Sequence, residues 1–322
     1  MIHFVMEPSP IISSHLQPLV RHLAGRGIPH DTVQMDDLLR QGEVFAGDTY
    51  VSCNLFFDDW LDDRRSRIFQ VQLQHNLTGI KGSPLGQSRA DLTVLAGEQV
   101  RDVQCIDPAD DRWVIAGYPK WDIIRAARGS RDACRAAIAD ELGLDPAFPW
   151  VVFYPTGKNR DYAPVASRAM DLRARALEGM GPCEFVFVNH AENEARYVDW
   201  LGKMGRDEGG IHTVDGKDSL KHLRACDLFV TDIASTVVTA ISFGVPVLFT
   251  RVRPPFGWKR LIETIQVGPF IEDVRDVGDY VRGHSTPPGQ RDLFERCIAF
   301  DDDRNCERIT DLILERSGVS TG

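Results

Sequence analysis

His75 ends an alternating apolar run. Val71 and Leu73 lead into it, and Asn76, Thr78, Gly79, Lys81, Gly82 and Ser83 follow. A strand that hands over to glycines, hydroxyls and one lysine has the make-up of a binding loop at the mouth of a sheet. An imidazole that titrates near neutrality suits proton removal from a hydroxyl nucleophile. The plainer role is a hydrogen bond to the turn that follows. His15 is a rival, beside Ser13 and Ser14 at the start of the first helical pattern. On the acceptor side of such a site the candidates are His15, Ser13, Ser14, Asn76 and Lys81. His3, His22, His30, His212, His222 and His284 read as structural or exposed.

Three further strand ends carry polar groups. "DLFVTDIASTVVTAISFG" runs from a strand through Thr231 and Asp232 to a helix that opens near Ser235 and Thr236, with Thr239 one turn on. Free N–H groups at a helix start, with two hydroxyls, suit phosphate oxygens. Ser235 would equally serve as an ordinary helix cap. "EFVFVNHAENE" ends a strand on His190, either a pyrophosphate donor or a surface histidine. Its acidic neighbours lack a second His or Cys at metal-ligand spacing. "YPTGKNRDY" leaves a strand with Thr156, Lys158 and Arg160, which offer charge to a phosphate or form a solvated basic loop. It lacks the GxxxxGK[ST] pattern of a P-loop. No GxSxG, HExxH, paired CxxC or GxGxxG occurs, which argues against nicotinamide and flavin chemistry.

The elements that must hold these residues alternate. "IHFVM" reads as a buried strand and "SSHLQPLVRHLAGRG" as a helix capped by Ser13 or Ser14 and ended by Gly27. "TYVSCNLFF", "IFQVQLQ", "LTVLAG" and "RWVIAGYP" read as strands. The second half repeats the pattern from "SRDACRAAIADELGL" to the closing helices "RDLFERCIAF" and "NCERITDLILERSG". Strand–helix alternation predicts an α/β fold with largely parallel sheets. Ligands in such sheets lie beyond the carboxyl ends of the strands, where His75, Thr156, His190 and Asp232 all fall. We expect two Rossmann-like domains with a cleft between them. Residues 1–118 would form the acceptor side and residues 119–322 the nucleotide side, the last helices packing back on the first domain.

Bulk properties narrow the class. The 322 residues are enough for two domains, and 43% are apolar. A net charge of −10 argues against nucleic acid as a partner. Seven scattered cysteines without a CxxC pair read as a reduced, cytoplasmic chain. The N-terminal stretch has no signal-peptide pattern, and no apolar run reaches the length of a membrane span. Asp301, Asp302 and Asp303 read as a solvated loop.

The stretches "QHNLTGIKGSP", "AGYPKWD", "VVFYPTGKNRD", "VNHAEN", "ACDLFVTDIAST", "FGVPVLF" and "GPFIEDVRDVGDYV" occur in the order found in another group. Over residues 70–282 the chain resembles the CDP-glycerol glycerophosphotransferase family, the teichoic-acid-type polymerases and primases of the GT-B fold. The resemblance implies a transferase that moves glycerophosphate or a similar polyol-phosphate from a CDP-linked donor to an acceptor hydroxyl. It implies His75 as catalytic base, with pyrophosphate contacts from His190, Ser235 and Thr236. "GYP", Gly117–Pro119, would mark the interdomain crossing.

The chain departs from the family at Asn76, where glycine is usual, at Ala191 for proline, and at Ile233–Ala234–Ser235 for Tyr-Ser-Ser. Thr239 stands where an acidic ribose ligand often follows. The helix after the first strand also resembles nucleotide-sugar glycosyltransferases of the same fold, which would promote His15. A non-catalytic nucleotide-binding subunit is a third alternative. No cofactor is required; Mg²⁺ carried in with the donor is compatible. The acidic chain lacks the basic segment of membrane-docked relatives, so a soluble enzyme with a small or carrier-linked acceptor is expected, peripheral membrane contact staying open as an alternative.

Overall fold

The computed structural model describes residues 1–8, 10–41, 45–53, 68–78, 89–129, 131–156, 165–189, 211–216, 219–251 and 259–319. The chain divides into two compact units. Unit 1 comprises Met1–Ala126 with Glu295–Gly322, and unit 2 is Ala127–Phe294.

Unit 1 is built on a parallel six-stranded sheet: β1 (Ile2–Met6), β2 (His30–Gln34), β3 (Thr49–Ser52), β4 (Phe69–Leu73), β5 (Leu92–Leu95) and β6 (Trp113–Ile115). The spatial order is β2-β1-β3-β4-β5-β6. The order reverses between β1 and β3, and a ligand crevice opens outside the carboxyl ends at such a reversal. Strands buried on both faces need continuous apolar runs. Ile2, Phe4, Val51, Val71 and Val94 meet this, packing against Leu16, Leu19 and Leu23 of helix Pro10–Gly25.

The last helix, Asn305–Ser317, inserts Cys306, Ile309 and Ile313 into the same core. It is held by the segment expected to cross between domains. Gly117 adopts φ +115°, and a Cβ there would lie 2.1 Å from the Asn305 side-chain oxygen, so only glycine fits. Trp121 is fully buried and donates its indole N–H to Asp301 at 3.0 Å. Asp122 accepts the backbone N–H of Asn305 (3.0 Å) and of Cys306 (2.9 Å), capping a helix that its own N-terminal residue leaves uncapped. These contacts hold helix Pro119–Ala126 in unit 1, which runs to Ala126 before unit 2 begins. The acidic run is more engaged than a solvated loop, since Asp302 takes a paired contact from Arg308 at 2.9 and 2.7 Å.

Unit 2 has a parallel five-stranded sheet: β7 (Trp150–Tyr154), β8 (Glu184–Asn189), β9 (Ile211–Asp215), β10 (Leu228–Thr231) and β11 (Val247–Phe249). Its order is β11-β10-β7-β8-β9, reversing between β7 and β10. Phe153, Phe185, Phe187 and Val230 pack on Ala169, Leu172 and Ala176 of helix Val165–Met180. Both sheets are therefore Rossmann-like.

The first helix starts at Pro10, earlier than expected, so Ser13 and Ser14 lie inside it and not at its N-cap position. No helix among the described residues is long and apolar enough to cross a membrane.

Candidate active site

The carboxyl ends of β1, β3 and β4, adjacent strands at the reversal of the unit 1 sheet, lead to Glu7, Cys53 and His75. His75 lies two residues beyond β4, half-buried. Its Nδ1 is 3.1 Å from the Cys53 carbonyl oxygen. A carbonyl only accepts, so Nδ1 carries the proton and Nε2 is the basic nitrogen of the neutral ring.

The loop around His75 is fixed from both sides. The buried Gln74 side chain accepts the Ala96 N–H at 2.8 Å and donates to the Asn76 carbonyl at 2.7 Å. Asn76 accepts both the N–H (3.1 Å) and the hydroxyl (2.9 Å) of Thr78 through Oδ1. Asn76 thus builds the turn with its side chain, as asparagine does in many tight turns.

His15 joins the same cluster. Its ring centroid lies 6.2 Å from that of His75, and its Nδ1 is 2.6 Å from the Tyr118 hydroxyl. That hydroxyl is also 3.3 Å from the His75 carbonyl oxygen. Burial, then the charge of Lys120, then His75, hold His15 well below the usual histidine range. His15 is therefore a neutral, enclosed ring tied to a tyrosine, and His75 is the more accessible of the two. Ser13 donates its hydroxyl to the Glu7 carbonyl at 2.8 Å, joining the helix to the end of β1, and Ser14 is half-buried nearby in sequence.

Two members of this cluster escape the motif reading. Tyr118 is buried, and burial pushes its hydroxyl well above its ordinary value. Lys120 is partly buried, and burial lowers it to about 8. The Cys53 thiol is raised by burial and by Glu7, and lowered by Lys120. Both residues come from "GYPKWD", and the only hint in the sequence is a tyrosine and a lysine two apart after a strand.

In unit 2 the reversal between β7 and β10 brings Thr156 and Asp232 together. Thr156 gives its N–H to both Asp232 oxygens (2.9 and 3.0 Å) and its hydroxyl to Oδ1 (2.7 Å). Both residues are buried. Gln266 donates to the Asp232 carbonyl at 3.2 Å and the Thr250 carbonyl at 2.7 Å. This pair closes on itself.

Helix Thr236–Ser242 follows. Ser235 has helical dihedrals (φ −62°, ψ −16°) and makes no side-chain cap bond, so the ordinary-cap role is absent. The Thr236 hydroxyl oxygen is enclosed without a hydrogen-bond partner among the described residues. Thr239 is buried one turn on. Lys81, Lys158, Arg160 and His190 lie outside the described residues. Among the described residues no group of three or more His, Cys, Asp or Glu is placed to hold a metal ion.

No protein-family model matches the chain, and no curated protein does. Solved structures do. The wall teichoic acid polymerase TagF superposes with a TM-score of 0.67 at 12% identity, covering 98% of this chain and 89% of that one. The UDP co-structure of MnaA from S. aureus gives 0.62 at 13%, covering 100% and 98%. HepE of Anabaena, in complex with UDP and glucose, gives 0.56 at 13%, covering 97% and 98%. With its two Rossmann-like parallel sheets, the chain has the GT-B fold.

Proposed function

We propose that the chain is a nucleotide-dependent GT-B transferase that passes glycerophosphate, or a similar polyol-phosphate, from a CDP-linked donor to an acceptor hydroxyl. The observation that carries this reading is the orientation of His75. Its Nδ1 faces the Cys53 carbonyl, which places the proton on Nδ1 and makes Nε2 the basic nitrogen of a ring two residues beyond β4. The choice of donor rests on the motifs that resemble the glycerophosphotransferases, and the likeness to TagF supports it.

In this reaction His75 Nε2 takes the proton of the acceptor hydroxyl. The new O–P bond forms at the β-phosphorus, the bond from that phosphorus to the bridging oxygen breaks, and CMP leaves with the electron pair. The imidazolium then gives its proton to solvent. The Ser235 and Thr236 hydroxyls are assigned to the pyrophosphate, with His190, Lys158 and Arg160 as further donors and Thr239 nearby in the helix. Fixed donors of this kind stabilise the charge that grows on CMP without requiring a resident metal; Mg²⁺ brought by the donor is compatible. The Thr156–Asp232 pair ties together the segments that leave β7 and β10.

A second reading, a UDP-sugar-dependent enzyme, is favoured by the presence of His15 beside His75 and by the UDP-bound neighbours. The test is a thermal-shift panel of CMP, CDP, UDP, GDP, CDP-glycerol and UDP-sugars on wild type and Ser235→Ala. A ligand that binds only the folded state raises the melting temperature. Cytidine nucleotides should stabilise the wild type, and the variant should lose that stabilisation. Stabilisation by UDP or GDP alone would replace the CDP reading with that of a nucleotide-sugar glycosyltransferase.

A further inference from the structure

The Tyr118 hydroxyl has a place in the unit 1 cluster that the reaction above does not use. It lies 2.6 Å from His15 Nδ1 and 3.3 Å from the His75 carbonyl oxygen, so one atom touches both histidines. The backbone that delivers it is pinned. The Tyr118 N–H donates to the Asn305 side-chain oxygen at 3.2 Å, and the Tyr118 carbonyl accepts the Trp121 N–H at 2.8 Å. Trp121 is fully buried and tied in turn to Asp301 at 3.0 Å. The Tyr118 ring is buried, 5.5 Å from the His15 ring between centroids. A tyrosine held at both backbone groups and enclosed has little freedom to place its hydroxyl elsewhere.

The order of the protons follows from the partners. Burial raises Tyr118, so its hydroxyl keeps its single proton. A carbonyl oxygen only accepts. Both contacts of the hydroxyl are hydrogen bonds in one arrangement alone: Tyr118 donates to the His75 carbonyl, and His15 donates to Tyr118 through Nδ1–H. With Tyr118 donating to His15 instead, the His75 carbonyl would face the lone pairs of the hydroxyl. The row then runs from His15 through Tyr118 to the His75 carbonyl, and from His75 Nδ1–H to the Cys53 carbonyl at 3.1 Å. It leaves the proton off His15 Nε2, the same nitrogen as in His75. Among the described residues nothing bonds to His15 Nε2.

We propose that Tyr118 is the positioning residue of the unit 1 site: its one hydroxyl anchors the His75 peptide and sets His15 in the Nδ1–H form, so that both imidazoles offer Nε2 to a hydroxyl-bearing substrate. Resting on the transferase reading, this makes His15 a hydrogen-bond acceptor beside the base. The anchor matters for rate because a base displaced by about 1 Å loses on the order of a hundredfold.

The experiment is nuclear magnetic resonance of the full chain with isotope-labelled histidine nitrogens, near pH ~8, where ordinary imidazoles are neutral. The protonated and bare ring nitrogens have distinct shifts. Spectra of His15→Asn and His75→Asn identify the two residues by their missing signals. Both rings should carry the proton on Nδ1. In Tyr118→Phe, His15 should lose that preference and His75 should keep it, since the Cys53 carbonyl is untouched. CMP release from CDP-glycerol, with glycerol as the acceptor, is followed alongside. Tyr118→Phe should lower kcat roughly ten- to hundredfold and leave KM for CDP-glycerol within about twofold. A merely structural tyrosine would change stability and leave the His15 tautomer and kcat alone.

The proposal is overturned if wild-type His15 carries its proton on Nε2, if Tyr118→Phe leaves the His15 tautomer unchanged, or if that variant turns over like the wild type. Should Tyr118→Phe fail to fold, the wild-type tautomers decide alone, Nδ1–H on His15 upholding the proposal and Nε2–H overturning it. Failure of the CDP-donor reading appears separately, as absence of CMP release by the wild type while the tautomers and their response to Tyr118→Phe stay as expected.

Discussion

The carboxyl ends of the two sheets are built alike and finished differently. Each sheet reverses order once, β1 against β3 in unit 1 and β7 against β10 in unit 2. At the first reversal His75 is half-buried beside His15 and Tyr118, with its Nδ1 on the Cys53 carbonyl. At the second, Thr156 and Asp232 satisfy each other with three hydrogen bonds and are buried. Polar residues at a strand end can thus serve a ligand or serve the sheet, and only their partners distinguish the two.

The largest test of this contrast is His75→Ala. We expect a loss of about 10²–10⁴-fold in turnover, with nucleotide-induced thermal shifts unchanged. Equal loss of nucleotide binding would show that His75 serves structure, as Asp232 does. Asp232→Ala is the mirror experiment. It strands the buried N–H and hydroxyl of Thr156 and should cost about 2–4 kcal/mol in denaturant unfolding. A cost below about 1 kcal/mol would mean that the carboxylate is dispensable to the sheet and free for ligand.

Asp122→Ala removes the cap that unit 1 lends to its last helix and should cost about 1–2 kcal/mol. Calorimetry should assign that loss to the transition of unit 1.

The smallest effect is a pH slope. Because the folded His15 sits well below its ordinary value, the unfolded chain binds a proton there that the folded chain refuses. The stability from this site is complete above the unfolded value, near pH ~6.5, and is lost as the pH falls below it. Each pH unit removes at most about 1.4 kcal/mol. Urea midpoints between pH ~7 and ~5 should fall more in the wild type than in His15→Asn. An equal fall would place the titration elsewhere.

The sequence shows the strands well, because "IHFVM", "WVVFY" and "EFVFV" are apolar without interruption, as strands buried on both faces must be. It hides β2. "HDTVQ" lies at the sheet edge with only half-buried and exposed side chains, so it has no apolar signature. The placement of His75 at a strand end is equally legible. Tyr118 and Lys120 are not, since their part in the cluster depends on a helix that returns from residue 305 to seat their segment. Ser235 misleads for a related reason: its residue type suggests a cap, while its backbone is already helical.

The division of the chain has a consequence for the order in which the protein is made. Unit 2 is one continuous stretch, Ala127–Phe294, whereas unit 1 is completed by Glu295–Gly322. Domains fold as units while the chain emerges from the ribosome, at about 5–20 residues per second. Unit 2 can close as soon as it has been synthesised. The sheet that carries His75 must wait, with its face for Ile309 and Ile313 uncovered, until helix Asn305–Ser317 has been made. While Glu295–Gly322 is still being made, roughly one to six seconds at that rate, the nascent chain holds a finished second unit and an open first one. The open face is where a chaperone or another nascent chain would engage.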